Sequence, residues 1–337
     1  MSSPSVEAAP ATREITIAQA VNEALAEELR RDERVFVIGE DVAEAGTPFK
    51  VLSGLVEEFG PERILDSPIS EAGITGLGVG AAMTGMRPVV DIMFGDFLTL
   101  VMDQLANQAA KTHYMSGGKL SVPLVLRTTL GATRRSAAQH SQSLQAWVAH
   151  IPGLKVVLPS TPYDAKGLLK AAIRDDNPVV FIEDKMDWRV TGAVPEGEYT
   201  LPLGVADVKR AGDDVTLVGT SSMVRVCLAA AELLAAEGIS AEVIDPRTLV
   251  PLDEDALVRS AEKTGRAVVV DEGHRGYGVT AELASTIAER AFYHLDAPVR
   301  RLGALDVPVP FSPPLEDETV PTPERVAAAA RELCRRG

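Results

Sequence analysis

From Ile15 onward the chain alternates between two hydrophobic periods. In TIAQAVNEALAEEL (16–29) apolar residues recur at three and four positions, which predicts a helix, and Thr16 with Gln19 forms a capping box at its start. RVFVIG (34–39) then reads as a buried strand. VLSGLVEEFG (51–60) ends a helix at Gly60, PVVDIM (88–93) is a strand, and FLTLVMDQLANQAAK (97–111) has helical spacing. VPLVLR (122–127), LKVVLP (154–159) and PVVFIE (178–183) are further short β-rich runs. Between the last two, STPYDAKGLLKAAI opens with Thr161 as cap and Pro162 in the first turn. Strands separated by helices predict a parallel sheet covered on both faces.

Periodicity fails across residues 186–205, where prolines, glycines and charges accumulate, and a linker is expected there. A second series follows: VTLVG (215–219), a helix over Ser222–Ala236 closed by Gly238, AEVID (241–245), a helix after Pro251, AVVVD (267–271), a helix through Arg290, PVRRLG (298–303) and a helix after Pro321. The fold class is therefore α/β, with one parallel-sheet domain over 15–185 and a second over 206–337. The first 14 residues lack an apolar core and a basic bias, so neither a secretory signal nor a transit peptide is read there, and a short disordered tail is expected.

Length agrees with two domains, since 337 residues is about twice the usual domain size. A formal net charge of -15 repels phosphate backbones and anionic lipid, which argues against nucleic acid and membrane surfaces as partners. Cys227 and Cys334 are the only cysteines, and there is no CxxC pair. A reducing, cytoplasmic setting is expected.

The densest chemical signal is DSPISEAGITGLGVGAAMTG (66–85). Gly76, Gly78 and Ala81 match G-x-G-x-x-A in form, but no strand precedes them, so the dinucleotide reading is rejected. A glycine-rich helix implies close approach, either by another backbone or by a flat ligand, and the sequence leaves both open. Glu71, just ahead of this helix, suits the positive end of the helix dipole as a cap, or a catalytic role. His140, in RRSAAQHSQSLQAW (134–147), lies in a small polar loop between a strand and a helix, where α/β sites are built. A lone histidine is also commonly structural. No two histidines have H-x-x-x-H spacing, and neither G-x-S-x-G nor a P-loop is present.

These pieces together resemble the beta subunit of the first, decarboxylating component of 2-oxo acid dehydrogenase complexes, within the transketolase-like thiamine diphosphate enzymes. The resemblance rests on VIGEDV (37–42), DSPISEAGITGLGVGAAMTGMRPVVDIMFGDF (66–97), DQLANQAAKTHYMSGG (103–118), AAQHSQSLQAW (137–147), the run 150–185, IDPRTLVPLD (244–253), VVDEG (269–273) and VPFSPPLE (309–316). It implies a pyrimidine-binding domain followed by a transketolase C-terminal domain. It further implies an α2β2 heterotetramer docked on a dihydrolipoyl acyltransferase core with its lipoyl domain. Glu71 falls on the family glutamate that bonds the aminopyrimidine, Phe97 on the aromatic packed against it, and Ile69 beside them. His140 falls on the histidine facing the thiazolium. A potassium site would carry over to Leu124, Ala172, Ile173, Asp175 and Asn177, which offer the oxygen ligands a hard cation takes.

The chain has no Gly-Asp-Gly segment with a downstream Asn, the family's means of holding Mg2+ on the diphosphate, so an alpha chain is expected to supply it. The expected activity is that of an oxidoreductase on a 2-oxo acid with a disulfide acceptor, pyruvate first, with acetoin or branched-chain 2-oxo acids as alternatives. A self-sufficient transketolase-like enzyme is disfavoured by length. A non-catalytic nucleotide-binding subunit is the alternative of another class. Arg134 and Arg135, where many relatives carry small residues, leave the charge on the substrate side open.

Overall fold

The computed structural model describes residues 11–335. Its strands are β1 (Thr12–Thr16), β2 (Val35–Gly39), β3 (Ile64–Asp66), β4 (Arg87–Ile92), β5 (Val125–Leu130), β6 (Lys155–Val157), β7 (Val179–Asp184), β8 (Thr191–Pro195), β9 (Asp207–Arg210), β10 (Val215–Gly219), β11 (Ala241–Asp245), β12 (Thr248–Val250), β13 (Ala267–His274) and β14 (Arg300–Ala304). A seven-stranded sheet runs β12-β6-β7-β5-β4-β2-β3 and a five-stranded sheet runs β14-β13-β10-β11-β9. Both are parallel except at one edge, where β12 and β9 run antiparallel. The two α/β domains expected from the pattern are present.

Local signals act where they were read. Thr16 and Gln19 close a reciprocal capping box on the helix Ile17–Arg31, and Thr161 accepts from the Asp164 amide at the start of Pro162–Arg174. The helical run from Leu98 to Met115 contains a π-helical stretch over Asp103–Ala109. One apolar core fills the outer face of the first sheet, and another that of the second. A third runs continuously from Ile38, Val90 and Leu126 to Val218, Ile244 and Val269, so the domains share a core.

Several features depart from the pattern. A strand, β3, does stand ahead of the glycine-rich helix Glu71–Met83, where none was expected. The strand β1 begins at Thr12, inside the segment expected as a tail; residues 1–10 of that tail lie outside the described residues. β1 pairs with β8, which lies within the expected linker, and Leu201 and Tyr199 of the same linker pack against the first core. Finally, β12 comes from the second half of the chain yet adds to the first sheet, so the domains exchange backbone hydrogen bonds. No helix among the described residues is long and apolar enough to cross a membrane.

Candidate functional site

Five parallel strands of the first sheet end at one edge, and polar chemistry collects just beyond them. β2 delivers Glu40, β3 leads to Glu71, β4 to Phe94, Asp96 and Phe97, β5 to the loop carrying His140, and β7 to Lys185. The crevice beyond the carboxyl ends is where open α/β sheets place ligands.

Glu71 is the first residue of the helix Glu71–Met83 and is only 8% exposed. No side chain or backbone group among the described residues donates a hydrogen bond to its carboxylate, so the capping alternative rests on the helix dipole alone. Glu40 stands close by: burial first, and then the charge of Glu71, push its carboxyl above the ordinary range. Its Oε1 is buried without a partner. Glu40 does accept from the Ser70 backbone amide, so the donorless carboxylate of this crowded pair is that of Glu71, and such a group is costly inside a protein unless something outside the chain supplies a donor. Of the two readings of the glycines, close packing holds at Gly78, where a Cβ would meet Val90 at 2.4 Å. Gly80 faces open space, on the side where Leu77 is 52% exposed.

Phe97 and His140 are brought into contact. Their rings meet edge to face at 5.6 Å, and Phe94 stands edge-on to His140 at 4.8 Å. Ile69, two residues before Glu71, is 82% exposed and leaves its apolar surface to something beyond this chain. The His140 loop is tied down at several points. Asp96 accepts from the Gln142 amide at 3.1 Å and side chain at 2.9 Å. Gly131, Thr133, Arg135 and Ala137 all have positive φ, a strained sequence of turns. That strain is offset by the second domain: the Ala132 amide donates to Glu272 at 2.5 Å and the Thr133 amide to Glu316 at 2.6 Å. Burial, reinforced by Asp184, raises the Glu272 carboxyl well above its ordinary range. A groove of about 900 Å3 lined by Trp147 and Tyr277 contains none of the expected site residues.

Comparison with known proteins shows the family of the chain. Residues 13–190 match the transketolase pyrimidine binding domain and residues 204–326 the transketolase C-terminal domain. The acetoin:2,6-dichlorophenolindophenol oxidoreductase subunit beta of Bacillus subtilis (strain 168) is 50% identical over 333 residues, covering 95% of this chain and 97% of that protein. The chain belongs to the transketolase-like dehydrogenase beta subunits. The 2-oxoisovalerate dehydrogenase subunit beta of the same strain is 47% identical, covering 93% of this chain and 97% of that protein. The pyruvate dehydrogenase E1 component subunit beta of Rhizobium meliloti (strain 1021) is 46% identical, covering 99% and 73%. A solved split gene transketolase, an inactive beta4 tetramer, shares the fold with a TM-score of 0.78 at 24% identity, covering 95% of this chain and 98% of its own.

In this beta subunit the two arginines have separate fates. Arg135 is neutralised by Glu316 at 2.7 Å and Asp317 at 2.8 Å, whereas Arg134 lies over Phe49 and Trp188, 5.3 and 6.0 Å from their ring centres. The positions carried over for potassium cluster, and the carbonyls of Leu124, Ala172, Ile173 and Asp175 each accept a hydrogen bond within the chain. Arg87 donates to the Ile173 carbonyl at 3.0 Å and the Asp175 carbonyl at 3.1 Å. Leu124 and Ala172 carbonyls accept from Val179 and Asp175 amides, and the Asp175 carboxylate takes Lys155 and Asn177. Sequence reasoning missed Glu40, Lys185, Glu272 and Glu316 as parts of the site. All four stand inside or beside motifs that carried the resemblance, but nothing local marks them as facing the loop.

Proposed function

We propose that this chain is the beta half of a thiamine diphosphate-dependent dehydrogenase catalytic site. The reading supposes that Glu71 and His140 act on the pyrimidine side, while an alpha chain supplies the diphosphate and Mg2+ pocket. The observation that carries it is the nearly buried Glu71 carboxylate with no donor of its own, at the sheet edge where Phe97 and His140 meet. An aminopyrimidine would supply the missing N–H, the half-buried aromatic Phe97 a flat face, and Ile69 further apolar cover. Bound thiamine diphosphate would contribute a nucleophilic ring carbon and an electron sink for decarboxylation. Glu71 would hold the proton shared with the ring nitrogen, and His140 would hold or move a proton at the reacting carbonyl and at the acceptor sulfur.

Pyruvate is the substrate we propose first. The acetoin relative keeps acetoin as the second reading, favoured by its identity over nearly the whole chain. We further propose an α2β2 assembly on a lipoyl-bearing acyltransferase, supported by the open helix face around Gly80 and Leu77. Titration with thiamine diphosphate and Mg2+ tests the half-site reading: Trp fluorescence should saturate when the alpha chain is present and not with this chain alone. Tight binding by the isolated chain would count against it.

Potassium enters only as an exchange with Arg87. K+ should leave the unfolding temperature of the parent complex equal to that in tetramethylammonium at the same ionic strength. It should raise that of Arg87→Met, because a ligand stabilises the state that binds it. Stabilisation of the parent would show that the ion and Arg87 coexist.

A further inference from the structure

Lys185 follows β7 at the same sheet edge and is only 2% exposed. Its amide donates to the Leu130 carbonyl, where the His140 loop begins, and its ammonium donates to the carbonyl of His140 itself. The same ammonium lies 5.4 Å from the centre of the Phe94 ring, which stands against the imidazole. One side chain thus reaches the backbone of His140 and the ring that packs on it.

The charge on Lys185 has no carboxylate partner in direct contact among the described residues. Lys166 and Lys170 are equally buried, but each is paired with glutamates, at 2.6 Å to Glu27 and 2.5 Å to Glu198 respectively. Among the described residues Lys185 is in no ion pair. Burial pulls its ammonium below the usual lysine range, and the charges of Asp96, Glu272 and Asp184 oppose that only from a distance. An unpaired buried cation is a cost that an apolar side chain of the same length would avoid. What the ammonium does contribute is a fixed donor at the one residue of the strained loop whose side chain has to be aimed.

We propose that Lys185 is a positioning residue for His140: its buried ammonium fixes the carbonyl of that residue, and so aims the imidazole between Phe94 and Phe97. The proposal rests on the reading of His140 given above and assigns a role to a side chain that does not itself contact the substrate. Misplacing a reacting group by about 1 Å can cost about 100-fold in rate, so the expected loss is large without any loss of fold.

The test uses the chain co-purified with its alpha partner and compares lipoyl acylation with reduction of an artificial acceptor. Lys185→Met should lower lipoyl acylation by about 10- to 100-fold. The unfolding temperature should hold or rise, because the variant removes an unpaired charge. Lys185→Arg, which keeps a donor and a charge, should recover most of the rate. In a His140→Ala background Lys185→Met should cost nothing further, since coupled residues are not additive. Losses that multiply in the double variant, or a lowered unfolding temperature with both assays falling together, would overturn the proposal. A harmful His140→Ala beside a harmless Lys185→Met overturns the proposal alone. A harmless His140→Ala overturns the reading of the site itself, and this proposal with it.

Discussion

Glu71→Gln, in the complex reconstituted with an alpha chain, is expected to lower turnover by about 100-fold or more, the scale on which a positioned acid–base group contributes. The fold should not notice. Glu71 accepts no hydrogen bond from the described residues, so the substitution breaks none, and the neutral amide relieves the crowding with Glu40. Glutamine has the same length and fits the same first helical turn, but it cannot hold the proton that a pyrimidine nitrogen would share. Replacing a nearly buried, donorless carboxylate by an amide is neutral or stabilising in the absence of ligand. Activity and stability should therefore part company: steady-state turnover collapses while the thermal unfolding midpoint stays level or rises. Turnover close to that of the parent would return Glu71 to an electrostatic role at the helix dipole.

The elements legible in the sequence are those decided by neighbours a few residues apart. Thr16 with Gln19 and Thr161 with Pro162 mark helix starts because the bonds they make close within one turn. The hydrophobic run of Val215–Gly219 marks a strand because it is buried on both faces. β1, β8 and β12 were hidden for the opposite reason. β1 finds its partner about 180 positions later, and β12 leaves its own domain to pair with β6, so no local period records either. The site divides along the same line. Glu71, Phe97 and His140 were visible through motifs, whereas Lys185 and Glu316 gain their meaning only from the loop they reach across the fold.

That loop ties the second domain to the candidate site. Four positive-φ positions between Gly131 and Ala137 would not hold a single conformation unaided, and the carboxylates that hold them, Glu272 and Glu316, both come from beyond residue 206. The shared apolar core and β12 keep those carboxylates in register with the first sheet. His140 is thus displayed by one domain and shaped by the other.

His140→Ala is expected to separate two stages of the reaction. Lipoyl acylation and overall complex activity should fall by about 100-fold, the contribution of a positioned proton donor, while reduction of an artificial acceptor falls much less. Transfer of the acyl unit to a dithiolane places a proton on a departing sulfur, and imidazole can deliver one near neutral pH. An artificial acceptor takes electrons without that proton. Neither chain neighbour of His140 can replace it: the Ser141 hydroxyl is buried and unpartnered, and Gln139 is an exposed amide with no titratable proton. Phe94 and Phe97 hold the imidazole by ring contact only, so alanine leaves a gap between them without stranding a charge. Thiamine diphosphate affinity should change less than rate, because Glu71 reaches the edge from β3 and not from this loop. Equal falls in both assays would move the role of His140 to an earlier, shared step, and no fall in either would remove it from the chemistry.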